Sequence, residues 1–106
     1  MSQNYVVGLT TVNKAKLAEK IAQHLVQKKL VACVTIFPKA LSIYSWKGKM
    51  SRDQEFVLMM KTKKVLIKKL EKELLAMHPY EVPEFVVLPI LFGNQKYLKW
   101  LATATA

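Results

Sequence analysis

Apolar and polar positions along this chain repeat with two different periods, and the changes of period mark out its elements. Tyr5 to Val12, rich in Val and Thr, predicts a first strand. A 3.6-residue repeat follows, with Leu17, Ala18, Ile21, Ala22, Leu25 and Val26 on one helical face and Asn13 placed to cap it. Leu30 to Phe37 predicts a second strand, interrupted at Pro38 and resuming through Ile43-Tyr44-Ser45-Trp46. Lys47-Gly48 is a tight-turn signal, so the chain folds back as a hairpin and returns from about Arg52 to Lys61. Thr62 stands where it can cap a second helix, whose core face is Leu66, Ile67, Leu70, Leu74 and Met77. Phe85 to Ile90 predicts the last strand, Gly93-Asn94 a turn and cap, and Tyr97, Leu98 and Leu101 a short closing helix. The order β-α-β-β-α-β with an extra C-terminal helix is an α+β, ferredoxin-like plan with an antiparallel sheet. No linker or repeat divides residues 1–106, which read as a single domain.

The second helix and the last strand are joined by His78-Pro79-Tyr80-Glu81-Val82-Pro83-Glu84. Two prolines fix two φ angles and push His78 and Val82 toward extended backbone, so this joint is a rigid elbow. It gathers an imidazole, a phenol and two carboxylates where a linker would carry Gly and Ser.

The strands carry a second message. A ferredoxin-like sheet covers one face with helices, and a free second face should alternate apolar with polar. Here both faces are apolar: Val34 and Ile36 against Cys33 and Phe37, Leu58 and Met60 against Val57 and Met59, Val86 and Leu88 against Phe85 and Val87. Burying one such side chain is worth about 1.5–3 kcal/mol, so another subunit is expected over the second face.

Composition narrows the class. Of 106 residues, 52% are hydrophobic, which excludes disorder. The longest apolar run, Phe85 to Phe92, is broken by Pro89 and falls far short of the ~20 residues of a membrane helix, so no membrane insertion is expected. Met1-Ser2-Gln3-Asn4 carries no positive charge ahead of Tyr5-Val6-Val7 and does not read as a secretory signal. Cys33 is the only cysteine, which excludes an internal disulfide and fits a reducing, cytoplasmic setting. The net charge of +10 comes from sixteen lysines and one arginine, Arg52. Base and phosphate readers lean on the arginine fork, so these dispersed lysines read as a solvated surface rather than a specific nucleic-acid site.

Taken together, Ala32-Cys33-Val34, Tyr44-Ser45-Trp46-Lys47-Gly48-Lys49, Glu55 with Lys61-Thr62, the His78–Glu84 elbow, Leu88-Pro89-Ile90 and Gly93-Asn94 with Tyr97-Leu98 give the chain its resemblance. In that order and spacing it resembles the CutA divalent-cation tolerance family over essentially its whole length. The resemblance implies a ferredoxin-like subunit in a homotrimer and a link to tolerance of copper and other divalent metals. In animal members the family name is attached to anchoring of a membrane enzyme. The family's proposed metal residues are a cysteine, the histidine of the His-Pro-Tyr motif and an acidic residue on the third strand, which fall here on Cys33, His78 and Glu55. Some members carry the cysteine in the first strand, where this chain has Leu9.

Each candidate also has a structural reading. Cys33, mid-strand among apolar neighbours, suits core packing. His24, at the edge of a helix face, suits the surface. His78, at a helix C-terminus, suits a capping role as well as a ligand. Glu55 shares a sheet face with Val57, Met59 and Lys61 and needs a partner: a lysine of a neighbouring subunit, a metal or a ligand. Tyr44, Trp46, Tyr80, Tyr97 and Trp100, with Lys61, Glu81 and Glu84, suit an intersubunit cleft or interface.

No catalytic constellation is present: there is no Gly-rich phosphate loop and no Ser-His-Asp arrangement, and the chain does not read as an enzyme. The leading functional reading is a trimeric cytoplasmic protein that binds or responds to divalent metal, copper or zinc, with copper foremost. The alternatives are a small-molecule sensor resembling the trimeric nitrogen-regulatory PII proteins, and a scaffold with no ligand. The identity of any protein partner is not legible.

Overall fold

The structure, a computed structural model, describes residues 4–106. Met1-Ser2-Gln3, on which the reading against a secretory signal partly rests, lies outside them. Strand β1 (Tyr5–Val12) leads through helix α1 (Ala15–Gln27) to β2 (Cys33–Trp46) and β3 (Lys49–Lys63). A 3₁₀ turn (Lys64–Leu66) opens helix α2 (Ile67–Met77), and β4 (Val86–Pro89) and α3 (Gln95–Ala104) complete the chain. All pairings are antiparallel in the order β2-β3-β1-β4, the ferredoxin-like arrangement predicted above.

Side-chain alternation sorts the sheet. Val12, Leu58 and Met60 turn to one face, where they are fully buried against Ile21 and Leu25 of α1 and Leu70 and Leu74 of α2. Val7, Leu9, Val57, Met59, Val86 and Leu88 turn to the other. That second face was expected to lack any cover from its own chain. The structure corrects this at one corner, where α3 sets Tyr97 beside Cys33 and Lys61, themselves cross-strand partners. The rest of the face stays open along β4.

Two predicted caps are displaced. Asn13 is exposed, and the N-cap of α1 is Lys14, with no side-chain bond. Thr62 caps no helix. β3 runs on through Lys63, so Thr62 points inward and donates from Oγ1 to the Leu30 carbonyl at 2.6 Å. A buried carbonyl left unpaired costs more than a surface cap returns. Asn94 caps α3 as expected, accepting from the Tyr97 N–H at 3.1 Å. Helix α1 ends in a Schellman motif, with bonds from Lys29 N–H to Val26 and from Leu30 N–H to Leu25, and Lys29 takes a φ of 59°.

The β2–β3 hairpin extends past its neighbours. Within β3 only residues 56–63 pair with β1, so residues 49–55 are held by β2 alone as an arm. Lys47 and Gly48, with φ of 53° and 79°, form the two-residue turn that the sequence signalled. Pro38 does not interrupt β2; the strand passes it on a bulge between Phe37 and Ala40, with Lys39 at φ 58°.

Candidate functional site

The bulge decides what the arm shows to each side. Beyond it Ala40, Ser42, Tyr44 and Trp46 stand over Glu55, Asp53, Ser51 and Lys49, so two aromatic rings and two carboxylates share one surface. The elbow after α2 folds toward the same surface. Together they enclose a cleft of about 660 Å³, within the size range of small-ligand sites. Its walls include Tyr44, Trp46, Asp53, Glu55, Tyr80, Glu81, Val82 and Glu84, with Thr11, Asn13, Ser42 and Ile43.

His78 builds the elbow. It is the C-cap of α2, its N–H bonding to the Leu74 carbonyl at 3.0 Å before the backbone turns extended at ψ 129°. Its Nε2 lies 2.9 Å from the Thr11 carbonyl, which can only accept, so Nε2 carries the proton. Nδ1 then accepts from the Tyr80 N–H at 3.3 Å. Both ring nitrogens are thus bonded to backbone, tying the elbow to β1. The Tyr80 ring meets the imidazole edge-on at 4.7 Å, and its hydroxyl donates to Glu55 Oε2 at 2.8 Å.

Glu55 is 95% buried, its relative exposure being 5%. The neighbouring Tyr44 hydroxyl donates to an Asp53 carboxylate oxygen. Burial, followed by the bond to Glu55, pushes the Tyr80 phenol well above its ordinary value, and the Asp53 bond raises Tyr44. At the other corner Tyr97, desolvated and bonded to Cys33 Sγ at 3.6 Å, is pushed up to about 12. The sign of the linkage follows. The folded chain keeps these phenol protons at pH values where the unfolded chain, with tyrosines near 10, has lost them. Their contribution to stability is complete below about pH 10 and is lost as pH rises through the folded values. Tyrosinate absorbance in an alkaline titration should therefore lag in the native protein relative to the urea-unfolded chain. Coincident curves would contradict the Tyr44–Asp53 and Tyr80–Glu55 bonds.

The expected site residues divide into two groups. Glu55, His78, Tyr80, Tyr44, Trp46, Glu81 and Glu84 come together at the cleft or its supporting elbow. Lys61, Tyr97 and Trp100 gather instead around Cys33, with Lys61 Nζ 5.6 Å from the Tyr97 ring centre. Cys33 pairs with Lys61, six residues along β3 from Glu55, which sets the thiol about 20 Å from the carboxylate. It is also only half-buried, not a core residue as expected, because the second face above it is roofed by a single helix. His24 is half-buried too, bonded to Glu73 between α1 and α2 at 2.7 Å. No group of three His, Cys, Asp or Glu placed to hold a metal occurs among the described residues. Asp53 was missed by the sequence reading, although it stands two residues before Glu55 and a strand's alternation puts the two on one face.

The fold and cleft define a class: a small ferredoxin-like α+β protein with an acidic, aromatic hollow where the elbow meets the hairpin arm. Residues 6–104 match the family described as CutA1 divalent ion tolerance protein. A divalent-cation tolerance protein CutA from Thermus thermophilus is 46% identical over 99 residues, covering 93% of this chain and 96% of its own. The chloroplastic CutA of Arabidopsis thaliana is 42% identical over 100 residues, covering 94% of this chain and 55% of its own, so the chain spans about half of that relative. The solved structure of the Thermus protein superposes with a TM-score of 0.93 at 45% identity, covering 96% of this chain and 99% of that one. The chain belongs to the CutA divalent-cation tolerance family.

Proposed function

We propose that this chain is a homotrimeric, cytoplasmic divalent-cation tolerance protein that binds divalent metal, chiefly copper, and catalyses no reaction of its own. One observation carries the reading. In a chain of net charge +10, four of the seven acidic residues line one cleft, and none of the residues lining it is Lys, Arg or His. Such a concentration of carboxylate against the net charge favours a cation locally. Among first-row divalent ions a given donor set binds copper most tightly, with zinc below it.

In this reading Glu55 supplies a ligand and His78 acts through Tyr80, which it positions. Cys33 lies outside the cleft of its own chain and supplies no ligand there. Carboxylates of one chain that do not converge are completed by assembly, and the open apolar strip of β4 is the surface that assembly would cover. No helix among the described residues is long and apolar enough to cross a membrane.

Native mass spectrometry of metal-stripped protein titrated with Cu²⁺ tests both parts together. We expect a species of three chains that takes up copper, uptake weakened by about tenfold or more in Glu55→Gln and little changed in Cys33→Ser. A monomer, or a trimer that takes up no copper, would remove the corresponding part of the proposal.

A further inference from the structure

We propose that the acidic cleft is a binding site for an organic polycation, a linear di- or polyammonium chain, independently of any metal. A metal needs its donors gathered about one point, and no such group of three forms among the described residues. The cleft carboxylates are instead distributed along a hollow of about 660 Å³, which suits positive charges separated by methylene spacers.

The walls carry the second half of the complementarity. Tyr44, Trp46 and Tyr80 present aromatic rings, whose faces attract ammonium groups and whose apolar area covers methylenes. Trp46 already receives one such group, since Lys47 Nζ lies 5.8 Å from its ring centre at the tip of the arm.

Glu55 marks where a charge is wanted. Its carboxylate is 95% buried and lines the cleft, yet among the described residues it accepts one hydrogen bond, from Tyr80, and pairs with no cation. A buried carboxylate gains most from an ammonium that both neutralises it and donates to its free lone pairs. The protein's net charge of +10 repels polycations at long range, so affinity here must come from local contacts rather than from a general acidic surface.

Calorimetric titration of the metal-stripped, full-length protein with spermidine, and separately with butylamine, at physiological salt is the test. Spermidine should bind at least about tenfold more tightly than the monoamine, with a change in tryptophan fluorescence from Trp46. Glu55→Gln and Asp53→Asn should each weaken it about tenfold, and Trp46→Leu about two- to fivefold. If Glu55→Gln does not fold, Glu81→Gln and Glu84→Gln, both at exposed positions, serve in its place with the same direction of effect. No spermidine binding at millimolar concentration overturns the proposal, as does equal affinity for the monoamine or unchanged affinity in the carboxylate variants. Because copper is absent throughout, failure here is separate from failure of copper uptake.

Discussion

Replacing His78 with Ala should destabilise the protein by about 2–4 kcal/mol, a larger effect than its single ring suggests. The imidazole bonds two backbone groups at once, the Thr11 carbonyl through Nε2 and the Tyr80 N–H through Nδ1. Alanine leaves both without their partner at a position that is 9% exposed, and each lost buried bond costs about 1–3 kcal/mol. It also opens a void under the Tyr80 ring. For a domain of this size the melting temperature should fall by at least about 10 °C. His78→Gln keeps a side-chain N–H able to reach Thr11 and should recover part of the loss. Urea unfolding of the three proteins at one concentration measures this. A His78→Ala variant within about 0.5 kcal/mol of the parent would show that the elbow is held by its prolines and not by the imidazole.

The second large effect is expected on the opposite edge. Val86 and Leu88 of β4 are 46% and 52% exposed on the sheet face away from α1 and α2. Leu91 and Phe92, just beyond, are 71% and 83% exposed. Burying each of them would contribute about 1.5–3 kcal/mol, and a carboxylate placed among them would have to be desolvated without a partner. Under the homotrimer proposal, Leu88→Asp should reduce the sedimenting species from three chain masses to one at micromolar concentration. In an isolated chain the same change at a half-exposed edge would cost almost nothing. A variant that sediments as its parent does would mean that copies do not meet along β4.

How much of this was legible in the sequence depended on the range of the forces involved. Element order, the Lys47-Gly48 turn and the Asn94 cap are set by neighbours in sequence, and they were read correctly. Asn13 and Thr62 had the chemistry of caps and were misassigned; for Thr62 a tertiary partner decides the matter, a carbonyl 32 residues away. The cleft was half visible. The elbow announced His78, Tyr80, Glu81 and Glu84, and alternation along β3 placed Glu55 on its face. The separation of Cys33 from Glu55 could not be read, since it depends on the register of two strands. Nor could the Pro38 bulge, which proline chemistry alone presented as a break.

That bulge has a consequence for how the hairpin can vary. Between Phe37 and Ala40 the second strand spends three steps while its partner spends two, from Val57 to Glu55. The extra step works as a phase shift: everything from Ala40 to Trp46 is turned over relative to an unbroken ladder. Removing the extra residue, Lys39 for instance, would straighten the strand yet leave Ala40 opposite Glu55 and Tyr44 opposite Ser51. In a ladder that kept Lys39 but lost the bulge, Lys39, Leu41 and Ile43 would instead oppose Glu55, Asp53 and Ser51, and Tyr44 and Trp46 would look out on the far side of the arm. The aromatic wall thus depends on the match between the extra residue and the bulge. A codon lost at Lys39 removes both and spares the wall, whereas straightening the strand with Lys39 in place would turn an aliphatic face to the hollow.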